Sequence, residues 1–399
     1  MHQHVGQSCA EDSLDPFNLL QLADDTLILA DSLDSFKSKM ILALEYSDKK
    51  LLKINSKKTK FIHLSDNPML EYIPINASYD IEPVNDSDGY SWLGIYLRNT
   101  NDVTQTLQFN FNKKKYIICK FYAWLEINET APIKIKMQVL YNCMFSAILY
   151  SCETWGEINH NLLEEICLIE RKALKSIMGV KSGTSNDIVY AELGLPEFPA
   201  TIKDRQYKLF AKVLNLQLQD ASLKGIIERY TSNISQLYPH NTISYYTNLQ
   251  DDNVKKDVYE RVDRINRSSN TMCMRYVALT GMKEAAILYK STHYDTDRGI
   301  ITRWRLSSHS LHIETGQYKR PKTERCDRKC IVCEVVEDEE HAIFHCSAHL
   351  NIRRRHRKII TKYDSIQKIL NPSNVDDMKE IASVLRAIEK NMVDLKLIQ

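Results

Sequence analysis

Leu22-Ala23-Asp24-Asp25-Thr26-Leu27-Ile28-Leu29-Ala30 decides how the first part of this 399-residue chain is read. Two adjacent carboxylates stand between two apolar runs, Phe17 to Leu22 and Leu27 to Ala30. Short apolar runs around a polar turn predict a buried hairpin with its acidic tip exposed. Such a tip offers hard oxygens to magnesium and leaves room in the coordination shell for water and phosphate. The competing reading is plainer, because Asp is also a common turn former and helix cap.

Outward from the hairpin, Phe36, Met40, Leu44, Ser47 and Leu51 recur at helical spacing, with Asp34 or Ser35 as the expected cap. Leu52-Lys53-Ile54-Asn55-Ser56-Lys57-Lys58-Thr59-Lys60-Phe61-Ile62 then leads into a short strand. Further on, Tyr90-Ser91-Trp92-Leu93-Gly94-Ile95-Tyr96-Leu97 carries bulky residues at strand spacing, with Gly94 as a point of close backbone approach.

Taken in order, Leu22 to Asp25, Leu52 to Thr59 and Tyr90 to Gly94 resemble three consecutive signatures of the reverse transcriptases of non-LTR, LINE-like (jockey-type) retrotransposons. The resemblance implies that Asp24 and Asp25 are palm carboxylates that bind catalytic Mg2+, with Asp24 the more direct ligand. Lys58 is then the lysine near the incoming triphosphate, unless it is only a solvated residue of a lysine-rich loop. A two-metal site of this kind stabilises both the attacking 3′-oxygen and the leaving pyrophosphate. Tyr90, Trp92 and Gly94 fall in the hairpin that grips the primer strand in that family. Packing is the other use of Trp92 and the favoured one for Leu93.

The family places a further palm aspartate and the fingers before the hairpin. Here sixteen residues precede Phe17, and His2 to Asp15 is polar with no comparable strand. The expectation is therefore a C-terminal fragment of a retrotransposon RNA-directed DNA polymerase that does not polymerise by itself. Its partners are an RNA template, a DNA primer or target DNA, and the missing N-terminal part of the element polyprotein. The alternative is a noncatalytic nucleic-acid-binding relic. No endonuclease is expected within these residues. The isolated hairpin should leave an apolar sheet edge exposed and make the chain poorly soluble.

Composition agrees with a globular chain of more than one domain: 43% hydrophobic and 26% charged residues, with a net charge of +2. Near-neutrality places any nucleic-acid affinity in local patches. No signal-peptide pattern opens the chain, and the apolar stretch Ile133 to Cys152 is broken by Lys134, Lys136, Gln138 and Asn142. A nuclear or cytoplasmic, intracellular location follows as the expectation, with no membrane partner.

After Asn99 the pattern turns helical. Lys113, Lys114 and Lys115 interrupt an aromatic segment that either follows a nucleic-acid backbone or is an amphipathic helix against a core; mixed use with the lysines exposed is expected. Pro132 opens the next helix, whose buried stripe is Ile133, Met137, Leu140, Met144 and Ile148. Leu149 to Gly156 resembles a Leu-Tyr-Gly-x-Glu-x-Trp segment of the same elements, with Ser151 in place of the usual glycine. Arg171, Lys172 and Lys175 form a polar face on a helix stopped by Gly179, completing a thumb-like bundle that would contact phosphates without regard to sequence.

Cys330-Ile331-Val332-Cys333, followed by His341 and Cys346, is the second strong constellation. Four of ten cysteines lie between residues 326 and 346. A Cys-x-x-Cys loop presents two thiolates to one side of a tetrahedral Zn2+, and a following His and Cys close the other. Structural zinc in small modules contributes about 10–16 kcal/mol of apparent binding energy. A redox pair or idle thiols is the alternative, and Cys326 and His345 compete as ligands. The family pattern, with its acidic stretch before the His, implies His341. Arg353, Arg354 and Arg355 follow at once, as a nucleic-acid patch or a solvated helix face.

The fold class expected is α+β: a truncated palm, a small antiparallel sheet with a helix (1–104), then a mainly helical remainder. That remainder comprises a thumb-like bundle (105–181), a linker (182–200) in which Asp187 to Leu195 resembles a family segment with a short helix before Gly194-Leu195-Pro196, a helical connection (201–325), a CCHC zinc knuckle (326–350) and a basic segment with a C-terminal amphipathic helix (351–399).

Overall fold

The computed structural model describes residues 19–64, 71–76, 79–85, 87–100, 102–219, 253–282, 288–289 and 295–397. The protein is mixed α+β and mostly helical, with small sheets. It divides into two compact units, Met1–Asn112 and Lys113–Gln399. The expected boundary at 104/105 falls in the first turn of the helix Val103–Lys114.

In the N-terminal unit, β1 (Leu19–Leu22) and β2 (Asp25–Ile28) form an antiparallel hairpin with Leu22 opposite Asp25. Helix α1 spans Leu33–Lys49 and is capped by Ser32, whose hydroxyl accepts from the Ser35 amide at 3.2 Å. The cap is thus two or three residues earlier than the sequence suggested. The helix also stops before Leu51, which has φ +56° and is 94% exposed, so Leu51 leaves the predicted stripe. Three short strands, β3 (Lys60–Phe61), β4 (Ile73–Asn76) and β5 (Tyr79–Pro83), make a sheet of order β3-β5-β4. Its β3–β5 pairing is parallel, a departure from the antiparallel sheet expected. Met40, Phe61, Ile73, Ile75 and Ile81 bury one another between α1 and this sheet. Ile28 packs against that cluster, and Lys39 donates to the Leu29 carbonyl at 2.9 Å, tying the first hairpin to α1.

The second hairpin pairs β6 (Tyr90–Trp92) with β7 (Ile95–Leu97). Gly94 serves the turn itself and not a close backbone approach: Leu93 and Gly94 have φ +48° and +80°, the left-handed pair that a tight two-residue turn requires. The side-chain amide of Asn110 holds this hairpin from α2 (Val103–Lys114), accepting from the Tyr96 amide at 2.8 Å and donating to the Tyr96 carbonyl at 2.7 Å. Asn99 does the same for neighbouring loops, accepting from the His63 amide and donating to the Val84 carbonyl.

The C-terminal unit is helical. Helix α3 (Tyr116–Ile127) is followed by α4 (Ile133–Val139), which passes into a π-helical turn at Leu140–Phe145. Ile133, Leu140, Met144 and Ile148 are buried as their spacing implied, and Met137 is half-buried. Ser151 takes φ +65°, the left-handed region that favours glycine, at the position where the resembled motif carries Gly. Helix α5 (His160–Met178) stops at Gly179, φ +69°, as predicted.

Residues 182–200 are not an open linker. Helix α6 (Asn186–Leu193) lies within them and buries Ile188, Val189 and Tyr190 to 1% exposure or less. Helices α7 (Phe198–Gln219), α8 (Asn253–Arg267) and α9 (Thr271–Thr280) follow, while much of the expected connection region, 220–252 above all, lies outside the described residues. Helix α10 (Asp295–Arg305) packs on the long C-terminal helix α11 (Val375–Leu397), which buries Met378, Ile381, Leu385, Ile388 and Met392 as its stripe foretold. Ala342 and Ile343 of the cysteine-rich segment belong to that same core with Trp304. The knuckle is therefore built into a large hydrophobic core and does not stand as a separate bead. No helix among the described residues is long and apolar enough to cross a membrane.

Candidate metal centre

Cys330 and Cys333 sit on a knuckle turn. The Cys330 amide donates to the Val335 carbonyl, the Glu334 amide donates to the Cys330 carbonyl at 2.9 Å, and Lys329 bridges Val336. Glu334, at φ +58°, bends the chain back. His341 and Cys346 are the two ends of one π turn, in which the Cys346 amide donates to the His341 carbonyl at 2.7 Å. Asp338 caps this turn by accepting from the His341 amide at 2.8 Å.

The ligand atoms of Cys330, Cys333, His341 and Cys346 all lie within 4.8 Å of one another. The Cys346 sulfur is 3.7 Å from that of Cys330 and 3.8 Å from that of Cys333. These separations are far beyond a disulfide bond of about 2.05 Å. They match the edge of a tetrahedron, about 3.8 Å, set by Zn–S bonds of about 2.3 Å. The His341 Nε2 is buried with no hydrogen-bond partner, as a nitrogen reserved for a metal would be. The donor set and its geometry fit zinc. His341 is the histidine of the set, and Cys326 and His345 are not part of it.

Electrostatics around the four ligands are uneven. Burial pushes the Cys346 thiol up to about 12, with the neighbouring Cys330 adding to the shift. Burial acts the same way on Cys333, but the hydroxyl and amide of Ser347 outweigh it and hold this thiol below its ordinary value. Desolvation lowers His341, favouring the neutral imidazole that binds metal.

The acidic stretch before His341 has a structural use that its sequence did not disclose. Glu337 and Glu339 are 2% and 4% exposed. Glu337 accepts from the His312 amide. Glu339 accepts from Arg275 of α9, and its carboxylate lies 2.8 Å from the His309 ring nitrogen. Burial favours the neutral acid, yet His309 and Arg275 hold Glu339 at about 2. Arg275 also donates to Glu314 at 2.9 Å, so the metal ligands are fastened to the helical core through a buried ionic cluster. A second such cluster centres on Glu192, which pairs with Arg305 and accepts from the Tyr276 and Tyr289 hydroxyls at 2.9 and 2.7 Å. A third joins Glu170 to Tyr141 and Tyr190 at 2.8 and 2.7 Å. Nothing in local sequence pattern marks Glu170, Glu192, Arg275 or Arg305, since charged residues on helices normally face water.

The other sequence-predicted residues are dispersed. Asp24 lies in the turn of the first hairpin, beside Ala23 at φ +56°, and Asp25 is already the first residue of β2. The hairpin is exposed along Gln21 to Thr26, not buried as expected, and Leu22 is 59% exposed. No third carboxylate or histidine joins the two aspartates among the described residues. Two adjacent oxygen ligands on an open turn do not fit a magnesium ion that demands near-octahedral coordination. Lys58 is exposed in a turn, its amide donating to the Asn55 carbonyl at 3.0 Å. Tyr90 and Trp92 are half-buried, and the Trp92 indole nitrogen is enclosed without a partner.

Lys113, Lys114 and Lys115 are half-buried and not freely exposed: Lys115 pairs with Glu165 at 2.7 Å and Lys114 lies over the Tyr150 ring at 5.3 Å. Lys172 is exposed, whereas Arg171 pairs with Glu164 and Lys175 donates to the Ser182 carbonyl at 2.8 Å. Arg354 and Arg355 are exposed at the end of the short helix Leu350–Arg355, and Arg353 is half-buried with one guanidinium nitrogen unpartnered. No known family model matches the chain, and no curated protein matches it.

Proposed function

We propose that this chain is the palm-end, thumb and zinc-module part of a non-LTR retrotransposon reverse transcriptase, a protein that holds an RNA template with a DNA primer or target DNA. The observation that carries the reading is the chain order of three devices: a hairpin with Asp24 at its turn, a second hairpin turning at Leu93 and Gly94, and a Cys3His centre. Zinc supplies no chemistry in this reading. It fixes the chain between Cys330 and Cys346 beside the exposed Arg354 and Arg355. Those two residues, with Lys172, supply sequence-independent attraction to phosphate.

A noncatalytic role is favoured by the aspartates themselves. Among the described residues Asp24 and Asp25 have no third ligand, so nucleotidyl transfer is not assigned to these two alone. The test is a paired assay on zinc-loaded protein. Template–primer binding is measured over a salt series, and primer extension is measured on poly(rA)/oligo(dT) with magnesium, beside an Asp24→Ala, Asp25→Ala double variant. The expected result is salt-sensitive binding without extension. Extension abolished by the double substitution would overturn the noncatalytic role. Failure of the folded protein to bind template–primer would overturn the whole reading.

A further inference from the structure

We propose that a polar cleft in the C-terminal unit, between α5 and the loop leading into α6, is a binding site for a phosphate group. The cleft has a volume of about 470 Å³ and is lined on one side by Arg171 and Lys175 of α5. Thr184, Asn186 at the start of α6 and Asn270 at the cap of α9 line it as well.

Four observations point to an anion. Lys175 has no carboxylate within ion-pair distance among the described residues, and its ammonium donates only to the Ser182 carbonyl. Burial and the neighbouring Arg171 both press Lys175 toward its neutral form, a strain that an anion between the two cations relieves. Helix α6 lacks the side-chain cap its sequence offers, because the Ser185 hydroxyl lies 3.9 Å from the Cys273 sulfur instead of closing the first turn. The first-turn amides of a helix have no partner within the helix, and the Ser185 side chain does not supply one here. The decisive group is Thr184, which is 1% exposed, lines the cleft and has a hydroxyl with no hydrogen-bond partner. Folded proteins rarely leave a buried hydroxyl unsatisfied, and a phosphate oxygen would complete it.

The loop is preorganised from behind. The Thr184 amide donates to the Lys181 carbonyl at 3.0 Å, and Lys181 is itself fixed by its amide to the Ser308 hydroxyl and by its ammonium to the His309 carbonyl. Asp187 and Glu197 also line the cleft, and Arg264 holds both, at 3.0 and 3.1 Å, offsetting one of their two charges, while Arg171 is paired with Glu164 and leaves Lys175 as the cation without a carboxylate among the described residues. The phosphate belongs either to a polynucleotide backbone or to a free phosphate ester. The site does not depend on the reading as a reverse transcriptase; only the first source does.

The experiment uses the full zinc-loaded chain and measures binding of inorganic phosphate by calorimetry, with chloride at matched ionic strength as the control. Thr184→Val keeps the shape and removes the orphan hydroxyl, and Lys175→Gln removes the charge. The expected result is phosphate binding that weakens about tenfold or more in each variant, as for loss of a charge-assisted hydrogen bond. No binding by the wild type, or unchanged binding in both variants, would overturn the proposal. Thr184→Val carries the test alone if the unliganded melting of Lys175→Gln shows that it does not fold. In a second arm, a fall of about one in the salt slope for oligonucleotide binding by Lys175→Gln assigns the site to a backbone phosphate. An unchanged slope beside lost phosphate binding assigns it to a free phosphate ester. Phosphate binding with no oligonucleotide affinity leaves the site standing and removes the reverse-transcriptase reading.

Discussion

In the N-terminal unit, five buried apolar side chains around Ile81 join one helix to a three-stranded sheet, and the hairpin that carries Asp24 and Asp25 lies open to water. In the C-terminal unit, a continuous core runs from Leu279 through Trp304 and Ile343 to Met392, and charged groups are buried inside it. The Lys60–Glu82 pair of the first unit is part-exposed, whereas Arg305 and Glu192 of the second are 0% and 1% exposed. Surface pairs add little, and buried ones become costly when broken. The paired aspartates therefore occupy the thinner structure, and the buried charges of the thicker one are residues that sequence left unmarked.

The largest expected effect tests whether the metal belongs to the strong side of this contrast. Removing zinc with a chelator, or making Cys333→Ser, should abolish metal content and lower the melting temperature of the C-terminal unit while leaving the N-terminal unit unchanged. Zinc peptides set the upper bound at about 10–16 kcal/mol. Metal analysis and differential scanning calorimetry on the same samples check it, and identical melting with and without metal would break the comparison.

Next in size is Glu192→Gln, which leaves Arg305 charged and buried. A loss of about 3–5 kcal/mol is expected in urea unfolding. A loss below about 1 kcal/mol would place the pair with ordinary surface contacts.

Glu170 sharpens the contrast through pH. Burial raises its carboxyl from 4.5 to about 7 in the folded chain, against the hydrogen bonds from Tyr190 and Tyr141. Below pH 4.5 both folded and unfolded chains hold the proton, and the stabilisation is complete. As pH rises toward about 7 the unfolded chain releases the proton first, so stability falls across that window, by roughly 3 kcal/mol in all. Glu170→Gln should flatten this part of the stability–pH profile, and an unchanged slope would assign it to other groups.

The smallest effects belong to the first hairpin and its neighbour. Asp24→Asn and Leu51→Ala should each change unfolding free energy by no more than about 0.5 kcal/mol, as for exposed sites. A larger loss in chemical denaturation would show that the N-terminal unit leans on these residues more than their exposure indicates.

Much of the architecture could be read in the sequence where a local rule was sufficient. The two hairpins, the helix stop at Gly179, the stripe of the C-terminal helix and the Cys330–Cys333 pair each follow from spacing or from one residue's conformational preference, while the resemblance is what singles out His341 and Cys346. What escaped depends on distant partners. Residues 182–200 read as a linker because they are rich in Gly and Pro, yet Tyr190 and Glu192 within them meet Glu170 and Arg305 from elsewhere in the chain. Lys114 and Lys115 read as solvent-facing because neither Tyr150 nor Glu165 is visible from their own segment. Asn99 and Asn110 look like loop and helix polar residues until their amides are seen to act as surrogate backbone. Thr184 could not have been singled out, since an unsatisfied hydroxyl is defined only by its surroundings.

The π turn between His341 and Cys346 separates two kinds of change the segment can undergo. The fifth residue after His341 returns its amide to the starting carbonyl, so the bite of this pair of ligands is set by a count of intervening residues and not by what they are. Replacing Phe344 or His345 alters a half-buried or exposed side chain and leaves that count intact. Deleting either would close the same segment as an ordinary α turn, in which the residue one turn on from His341 is again Cys346, so the two ligands stay on one side of the axis. The segment is thus permissive toward substitution, and its extra residue is one that a single-codon deletion could remove without turning Cys346 away from His341.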